Sequence, residues 1–271
     1  IEKTTTITST TITEKYRTYI LENKINWEFV DRRGNLIHWS MPIETYRDYI
    51  SMKKNLQTLW LKCDTCPTSP IAIIDYRPFV QPEFFANVIN ILTYGRTGRE
   101  FVEEVFNIKR QLVVYAVSNE TAQWSAETLT EGRGSCRDTA VLMGSLLTAG
   151  NNQAGYGMKI EFIYLDANNI ENPKDVNHII LYVKFKDGTS QFIETTAEEN
   201  VNIYKQVKGW FYDITKIDMC DDRTIYGQCS GLNVGWYCDN GNLLMKCQLC
   251  GCPTNYPRCG SDGKCFKYFW D

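Results

Sequence analysis

The chain has 271 residues, of which 43% are apolar and 23% charged, and this suits a globular protein with one or two domains and a sizeable core. The formal net charge of −3 gives no reason to expect nucleic acid or an anionic membrane as a partner. No run of about 18 apolar residues occurs, so the sequence predicts no membrane span.

The first predicted elements lie near the N-terminus. Because the chain begins at Ile1 rather than Met, we expect that a signal or anchor was removed upstream of it. The segment TTTITSTTIT (4–13) is either a Thr-rich linker or an edge strand, and we assign residues 1–14 to it. Apolar runs on both sides of a turn predict a β-hairpin over 25–43. A domain placed at 15–218 therefore starts with this hairpin.

Four helices are predicted after the hairpin. Pro42 and Pro82 mark the starts of the first two, since proline is favoured in the first helical turn. Apolar residues at helical spacing predict the third helix over 99–114. The fourth follows a glycine-rich turn, has Cys136 in its first turn and continues as an apolar stripe.

The second half of this domain changes to strands. Alternating and continuous apolar runs predict them at 159–165, 178–185 and 190–196. Helices followed by antiparallel strands are typical of an α+β fold.

Cysteine usage is the strongest compositional signal, with 11 cysteines in the chain. An even number in a short segment rich in turn residues predicts a disulfide framework, so we assign 219–271 to a separate disulfide-stapled module. Disulfides persist outside the reducing cytosol, which places the protein outside the cell or on its surface. A sequon at Asn119 is compatible with this location. The cysteines for which we predict disulfides are Cys63, Cys66, Cys220, Cys229, Cys238, Cys247, Cys250, Cys252, Cys259 and Cys265.

Metal binding is the alternative use of some of these residues. The pairs Cys63-x-x-Cys66 and Cys247-x-x-Cys250 have the spacing of zinc ligands, but their neighbours fit a disulfide set better, so we predict no metal site. The loop LDANNIENPKD (165–175) holds several oxygen donors without an EF-hand pattern, and calcium stays open there. No other cofactor is expected.

One cysteine, Cys136, stands apart from all the clusters. It falls in the first turn of the predicted fourth helix, where its backbone N–H lacks an intrahelical partner and can donate to an oxyanion. A helix N-terminus and a nearby imidazolium both lower the pKa of a thiol and so activate it as a nucleophile. The alternative is that Cys136 is a small buried hydrophobic residue.

Two histidines are available as a partner for this cysteine. His38 lies in the predicted hairpin and is interpreted as structural, whereas His178 opens the second strand of the later group. A third group should orient the imidazole, and Glu194 in the third strand is the candidate. A three-residue loop at 186–188 makes His178 and Glu194 diagonal neighbours on one face, while a two-residue loop puts them on opposite faces. We therefore predict the three-residue loop.

These residues resemble the transglutaminase-like superfamily, which places a cysteine, a histidine and an acidic residue in that chain order. Cys136 matches its helix-start cysteine, His178 its strand histidine in an HxxxxV context, and Glu194 in IETT its acidic residue. The stretch WSAETLTEGRGSCRD (124–138) is similar to the P-x-ETL-x-x-G-x-G-D-C-E-D stretch of microbial extracellular members. The resemblance covers residues 25–218.

The sequence also departs from the pattern of that family. Ser135 stands where an Asp is usual before the cysteine, Arg137 where a Glu is usual after it, and the acidic residue is Glu194 rather than an Asp. The Cys-rich tail resembles modules that end surface proteins of archaea. None of the three departures removes a group that the chemistry needs.

The resemblance implies a papain-like core of helices packed on an antiparallel sheet. It also implies acyl transfer on a protein or peptide amide through a thioester, as a peptidase, an amidase or a protein cross-linker. Cys136 would be the nucleophile, His178 its base and Glu194 the group that holds the imidazole. Trp124 would supply a second oxyanion donor through its indole N–H, with core packing as the alternative. A non-catalytic surface module that keeps the fold for binding is the other function left open.

Overall fold

The structure is a computed structural model of the chain. It describes residues 17–52, 54, 56–64, 66–67, 69–117, 122–198, 206–216, 220, 224, 229–239 and 242–267. Two compact units divide the chain, 1–214 and 215–271, so the boundary lies four residues before the one expected from the composition. The Thr-rich segment 4–13 and the sequon at Asn119 lie outside the described residues. None of the helices described is long and apolar enough to cross a membrane.

The first unit combines helices with mainly antiparallel strands. Its helices are α1 (Ile43–Ser51), α2 (Ala86–Thr93), α3 (Gly98–Leu112), α4 (Ser125–Glu131) and α5 (Cys136–Ala154). Its strands are β1 (Arg17–Leu21), β2 (Lys24–Val30), β3 (Leu36–Pro42), β4 (Gln57–Leu61), β5 (Ile71–Asp75), β6 (Val114–Tyr115), β7 (Arg133–Gly134), β8 (Lys159–Leu165), β9 (His178–Lys184), β10 (Ser190–Ile193) and β11 (Trp210–Asp213). This mixture of helices and antiparallel sheets fits the predicted α+β class.

The predicted N-terminal hairpin is confirmed. Strands β2 and β3 pair in antiparallel register, and β1 extends them to three strands. Trp27 lies opposite Trp39, and their rings stack with centroids 4.3 Å apart. Because side chains alternate along a strand, the tryptophans point into the core while residues such as His38 face outward.

The predicted helices form, with altered ends. Helix α1 starts directly after Pro42, as predicted, and stops at Ser51. Pro82 opens a single 3₁₀ turn, and the α-helical part begins only at Ala86. Helix α3 starts at a capping box, in which the side chains of Thr97 and Glu100 accept hydrogen bonds from each other's backbone N–H groups. This capping box fixes the N-terminus of the helix.

Helix α5 is the central element of the first unit. Its residues are buried on every side from Asp138 to Gly150, so the apolar stripe read from the sequence understates its burial. Helices α2, α3 and α4 pack on α5, and so do strands β8 and β9. The start of this helix is therefore fixed by packing from several directions.

A four-stranded antiparallel sheet in the order β10-β9-β8-β11 packs on α5. The three-residue loop predicted between β9 and β10 is confirmed, because the Phe185 N–H donates to Thr189 O at 2.8 Å and Ser190 lies opposite Lys184. Gly188 in that loop has φ +84°, a left-handed conformation that glycine adopts without steric cost. Strand β10 ends at Ile193, so Glu194 begins the turn that follows rather than lying within a strand.

The second unit consists of short elements joined by disulfides. Its elements are β12 (Trp236–Asp239), β13 (Asn242–Met245), α6 (Cys247–Cys250), β14 (Arg258–Cys259) and β15 (Cys265–Phe266). Its disulfides are Cys220–Cys238, Cys229–Cys250, Cys247–Cys259 and Cys252–Cys265. With Cys63–Cys66 in the first unit, these bonds use the ten cysteines for which disulfides were predicted. Their sulfurs are therefore not thiolate ligands for zinc.

Candidate active site

Cys136 is the one free cysteine, it is half-buried, and it occupies the first position of α5. Ser135 precedes it as the N-cap, and the Ser135 N–H and hydroxyl donate to Asp138 Oδ2 at 2.8 and 2.6 Å. This capping box fixes where the helix begins. The Cys136 N–H consequently sits in the first turn, where helical amides have no partner within the helix.

Asp138 fixes the segment at Gln123 as well as the start of α5. It is fully buried, and its Oδ1 accepts the Gln123 N–H at 2.9 Å. A Cβ on Gly134 would lie 2.9 Å from Asp138 Cβ and 3.0 Å from Thr128 Cγ2, so this close approach requires glycine. The sequence interpretation did not single out Asp138, although the spacing Ser135-x-x-Asp138 is a capping signal.

His178 is the first residue of β9, and its ring contacts both other predicted site residues. Its Nε2 lies 2.8 Å from Glu194 Oε2, and the ring also hydrogen bonds with Cys136. Because Nε2 is engaged by the carboxylate, Nδ1 is the nitrogen left for the thiol. Burial by itself lowers the pKa of His178, but the hydrogen bonds to Cys136 and Glu194 and the charges of both groups outweigh it and raise the pKa to about 9. The ring is thereby kept as an imidazolium at neutral pH.

Glu194 is 4% exposed, and both of its carboxylate oxygens have partners. Oε2 faces His178, and Oε1 accepts the Thr196 N–H and hydroxyl at 2.9 and 2.6 Å. Burial raises the pKa of Glu194, but the hydrogen bonds and the charge of His178 act more strongly and hold the pKa below its usual value. The group is an ionised, fixed acceptor for the imidazolium.

Thr195 links the residue after Glu194 to the helix that begins at Cys136. Its hydroxyl lies 3.1 Å from the Thr139 hydroxyl and donates to the Cys136 carbonyl at 3.4 Å. The turn after β10 is therefore attached to the first turn of α5 by side-chain hydrogen bonds. In this way the structure brings Cys136, His178 and Glu194 into one cluster.

Trp124 does not have the arrangement expected for an oxyanion donor. Its side chain is 5% exposed, its ring packs on Phe79 with centroids 4.9 Å apart, and its indole N–H donates to the Met52 carbonyl at 3.3 Å. The donor that the oxyanion interpretation required thus already has a backbone partner. Trp124 fits the alternative role in core packing and in the start of α4, and we do not retain it as an oxyanion donor.

Tyr76, which the sequence interpretation missed, lies at the cluster instead. It follows β5, its N–H donates to the Tyr164 hydroxyl at 3.0 Å, and the two rings stack with centroids 6.1 Å apart. The Tyr76 hydroxyl is hydrogen bonded to the side chain of Arg137, the residue that follows Cys136. Burial raises the pKa of Tyr76, Arg137 opposes this, and the charge of Cys136 adds to the rise. No local motif marks this residue, because 60 positions separate it from Cys136.

The two other regions considered from the sequence have simpler arrangements. His38 Nε2 lies 3.0 Å from Asn26 Oδ1 on the outer face of the hairpin, as its structural interpretation requires. In the loop where calcium was left open, Asp166 accepts the Asn168 and Lys174 N–H groups at 3.0 and 3.1 Å and the Asn177 amide at 3.0 Å. The Asp166 carboxylate thus closes the loop that leads to β9.

Comparisons with known proteins give two distant structural matches. One is a proposed cysteine protease from Cytophaga hutchinsonii, with 11% identity, 73% of this chain and 86% of that chain covered, and a TM-score of 0.36. The other is a proposed protease from Parabacteroides distasonis ATCC 8503, with 11% identity, 72% of this chain covered and a TM-score of 0.33; the alignment spans 41% of that chain. No family model and no curated protein matches the sequence.

Proposed function

We propose that this protein is a cysteine-dependent acyl-transfer enzyme of the transglutaminase-like class, acting on carboxamide or peptide groups through a thioester. The observation that carries the proposal is the cluster itself. A free thiol at a helix start hydrogen bonds with an imidazole, and a buried carboxylate 2.8 Å from Nε2 holds that imidazole. A papain-like core, with α5 packed on the β10-β9-β8-β11 sheet, is the architecture that fits this arrangement.

In the acylation step, the Cys136 thiolate attacks the carbonyl carbon of the substrate amide and forms the S–C bond. The His178 imidazolium then donates its Nδ1 proton to the leaving nitrogen as the C–N bond breaks. The products are a thioester on Cys136 and a neutral amine, or ammonia where the substrate is a side-chain carboxamide. Glu194 stays ionised throughout and keeps the ring in the orientation that serves both partners.

The tetrahedral intermediate requires donors for its oxyanion. The Cys136 N–H is one candidate, because it lies in the first turn of α5. We assign the Tyr76 hydroxyl as the second. A guanidinium has hydrogen-bond donors only, so the Tyr76 oxygen accepts from Arg137 and the phenolic hydrogen is left to be donated.

In the deacylation step, neutral His178 removes a proton from an incoming amine or water, which attacks the thioester carbonyl. The C–S bond breaks, the thiolate returns, and the imidazolium is restored. An amine as the acceptor gives transamidation and water gives hydrolysis. The cluster has the groups for both, so the acceptor depends on what reaches the thioester first.

We also propose an extracellular or cell-surface location, because the chain is rich in disulfides. Five disulfides join ten of the eleven cysteines, and such bonds persist in oxidising surroundings. The substrate would then be a protein or peptide outside the cell.

The test is an incubation with a glutamine-containing peptide and a tagged primary amine, beside a Cys136→Ala variant. Tag incorporation identifies a transferase, ammonia release without incorporation identifies an amidase, and cleavage of the peptide identifies a peptidase. Each signal should vanish in Cys136→Ala. A paired measurement alkylates the intact protein with iodoacetamide at pH 6, where an imidazolium-paired sulfur should react rapidly.

Silence in all three assays, together with slow alkylation at pH 6, would contradict the proposal. The cluster would then be the remnant of a binding module. Fast alkylation without turnover would instead mean that the sulfur is activated and that the peptide offered is the wrong amide.

A further inference from the structure

Lys109 is a buried cation for which the proposed reaction has no use. It lies in α3 and is 2% exposed, and its Nζ donates to the Ala197 carbonyl at 3.3 Å. Burial lowers the pKa of Lys109, and the charges of Glu198 and Glu194 oppose that shift. Taking an ammonium group out of water is energetically unfavourable unless the surroundings compensate the charge. An apolar side chain would fill the same space without that cost, so the retained charge and its hydrogen bond need an explanation.

The partner of Lys109 belongs to the turn that carries the catalytic acid of the proposed reaction. Each residue of this turn, from Glu194 to Ala197, has its own attachment. Glu194 bonds the His178 ring, Thr195 bonds the start of α5, and Thr196 bonds Glu194 itself. The turn closes on itself when the Ala197 N–H donates to Glu194 O at 3.3 Å. Lys109 then supplies the attachment to α3 at its far end.

We propose that Lys109 is a positioning residue, which holds the Glu194–Ala197 turn against α3 so that Glu194 Oε2 stays within hydrogen-bond distance of His178. The inference rests on the proposed function and assigns a further residue to that site. Lys109 touches neither the sulfur nor the imidazole, and it acts through the carboxylate.

Loss of the Lys109–Ala197 hydrogen bond and loss of the Lys109 charge predict opposite changes in the pKa of His178. The charges that act on the ring are those of Cys136 and Glu194, and the charges that act on Lys109 are those of Glu198 and Glu194. Removing the positive charge alone would raise the pKa of His178, because a like charge disappears. Releasing the turn would weaken the Glu194 contact and lower the pKa of His178 towards its ordinary value. The sign of the change therefore identifies which role Lys109 has.

The experiment is an NMR titration of the histidine rings in the full-length oxidised protein. The chain has two histidines, so His38 serves as an internal reference beside His178. In Lys109→Met, the midpoint of His178 should fall by about one pH unit while that of His38 stays, and turnover should fall by about tenfold with little change in KM. Arg110→Met, which removes a charge from an exposed neighbour on the same helix, should match the wild type. Lys109→Gln, with a shorter N–H donor, should lie between the wild type and Lys109→Met.

The outcomes separate this inference from the proposed function. A wild-type His178 that titrates near its ordinary value would overturn the cluster and with it the function. A wild-type midpoint near 9 that is unchanged or raised in Lys109→Met would overturn the positioning role alone. Unfolding of both Lys109 variants would show that the residue supports the fold instead, and would also overturn it. A lowered midpoint in a folded variant is the result that supports the proposal.

Discussion

The two units of the chain are stabilised by different means. Residues 1–214 bury a large apolar core around α5, in which Trp27, Phe101 and Phe162 are inaccessible to solvent. Among the described residues of 215–271, the buried apolar side chains are all half-cystines. Burial of apolar area, at about 25 cal/mol per Å², holds the first unit. Covalent cross-links hold the second, which is too short to build such a core.

This difference explains how one cysteine can stay free in a chain with five disulfides. A unit that folds around an apolar core does not need a cross-link at α5, so Cys136 remains a thiol. In the second unit the sulfurs of Cys247, Cys252 and Cys259 lie within 4.8 Å of one another. A thiol placed among them would exchange with its neighbours. Cys136 lies in a different unit from these clustered half-cystines, and the disulfide that shares its unit is Cys63–Cys66.

Reduction should break the comparison most severely. With a phosphine reductant, residues 215–271 should lose their resistance to proteolysis entirely, because each native disulfide of a small module contributes about 2–5 kcal/mol. Residues 1–214 should stay resistant, since the Cys63–Cys66 bond closes only a short loop. Limited proteolysis read by mass spectrometry measures both, with the oxidised protein as the control. Equal cleavage rates in the two units would contradict the distinction.

A core truncation should have the opposite effect. Phe101→Ala removes a fully buried ring of α3 and should lower the free energy of unfolding of the first unit by about 3–5 kcal/mol. Phe211→Ala, which removes a ring that is 40% exposed, is the matched control and should cost much less. Hydrogen exchange resolved by peptide reports each unit separately. Faster exchange in 215–271 of the Phe101 variant would show that the second unit depends on the apolar core after all.

Much of the first unit could be predicted because its signals are local. The loop of 186–188 has a glycine at the position that needs a left-handed backbone, and this sets the register that brings His178 towards Glu194. Proline and glycine positions likewise placed the starts of α1 and α5. The sequence also distinguished the free thiol from the disulfide-bonded cysteines. Clustering of cysteines along the chain is a local signal, which can be recognised without knowing the fold.

The unpredicted features depend on contacts between distant segments. Tyr76 reaches Arg137, and the Trp124 indole reaches Met52 across 72 positions, so neither partner leaves a pattern near the residue itself. Strand β11 pairs with β8 although loops and a hairpin separate them in the chain. Local propensity has no information on such pairings. For the same reason the sequence does not distinguish Lys109 from the other charged residues of α3.

Glu194→Gln sharpens the comparison by changing one charge in the first unit. The pKa of His178 should fall from about 9 towards 6.5, because a carboxylate partner is replaced by a neutral amide. Since the folded pKa lies above the ordinary value, the stability that this ring contributes is full below pH 6.5 and is lost as the pH rises to about 9. The variant should lack that decline, and turnover should fall by about 10²-fold.

Urea titrations of the wild type and of Glu194→Gln at pH 6 and pH 9 measure the decline. Asp213→Asn, at the end of β11, is the control for loss of one negative charge elsewhere in the first unit. Parallel pH dependence in all three proteins would mean that the Glu194 carboxylate does not set the charge of the imidazole.

The smallest effect is expected from Tyr76→Phe, which keeps the ring and removes one hydroxyl. If the hydroxyl donates to the oxyanion, its loss should lower kcat by about tenfold, at the weak end of such donors, with KM nearly unchanged. Tyr182→Phe removes a hydroxyl from β9, where the ring packs on Phe192 and Phe211, and should leave kcat unchanged. Both variants should unfold like the wild type in both units, because Tyr76 keeps its stacking on Tyr164. A kcat within twofold of the wild type would contradict the role of the Tyr76 hydroxyl as the second oxyanion donor. An equal loss of kcat in both variants would indicate an effect on packing of the sheet rather than on the oxyanion.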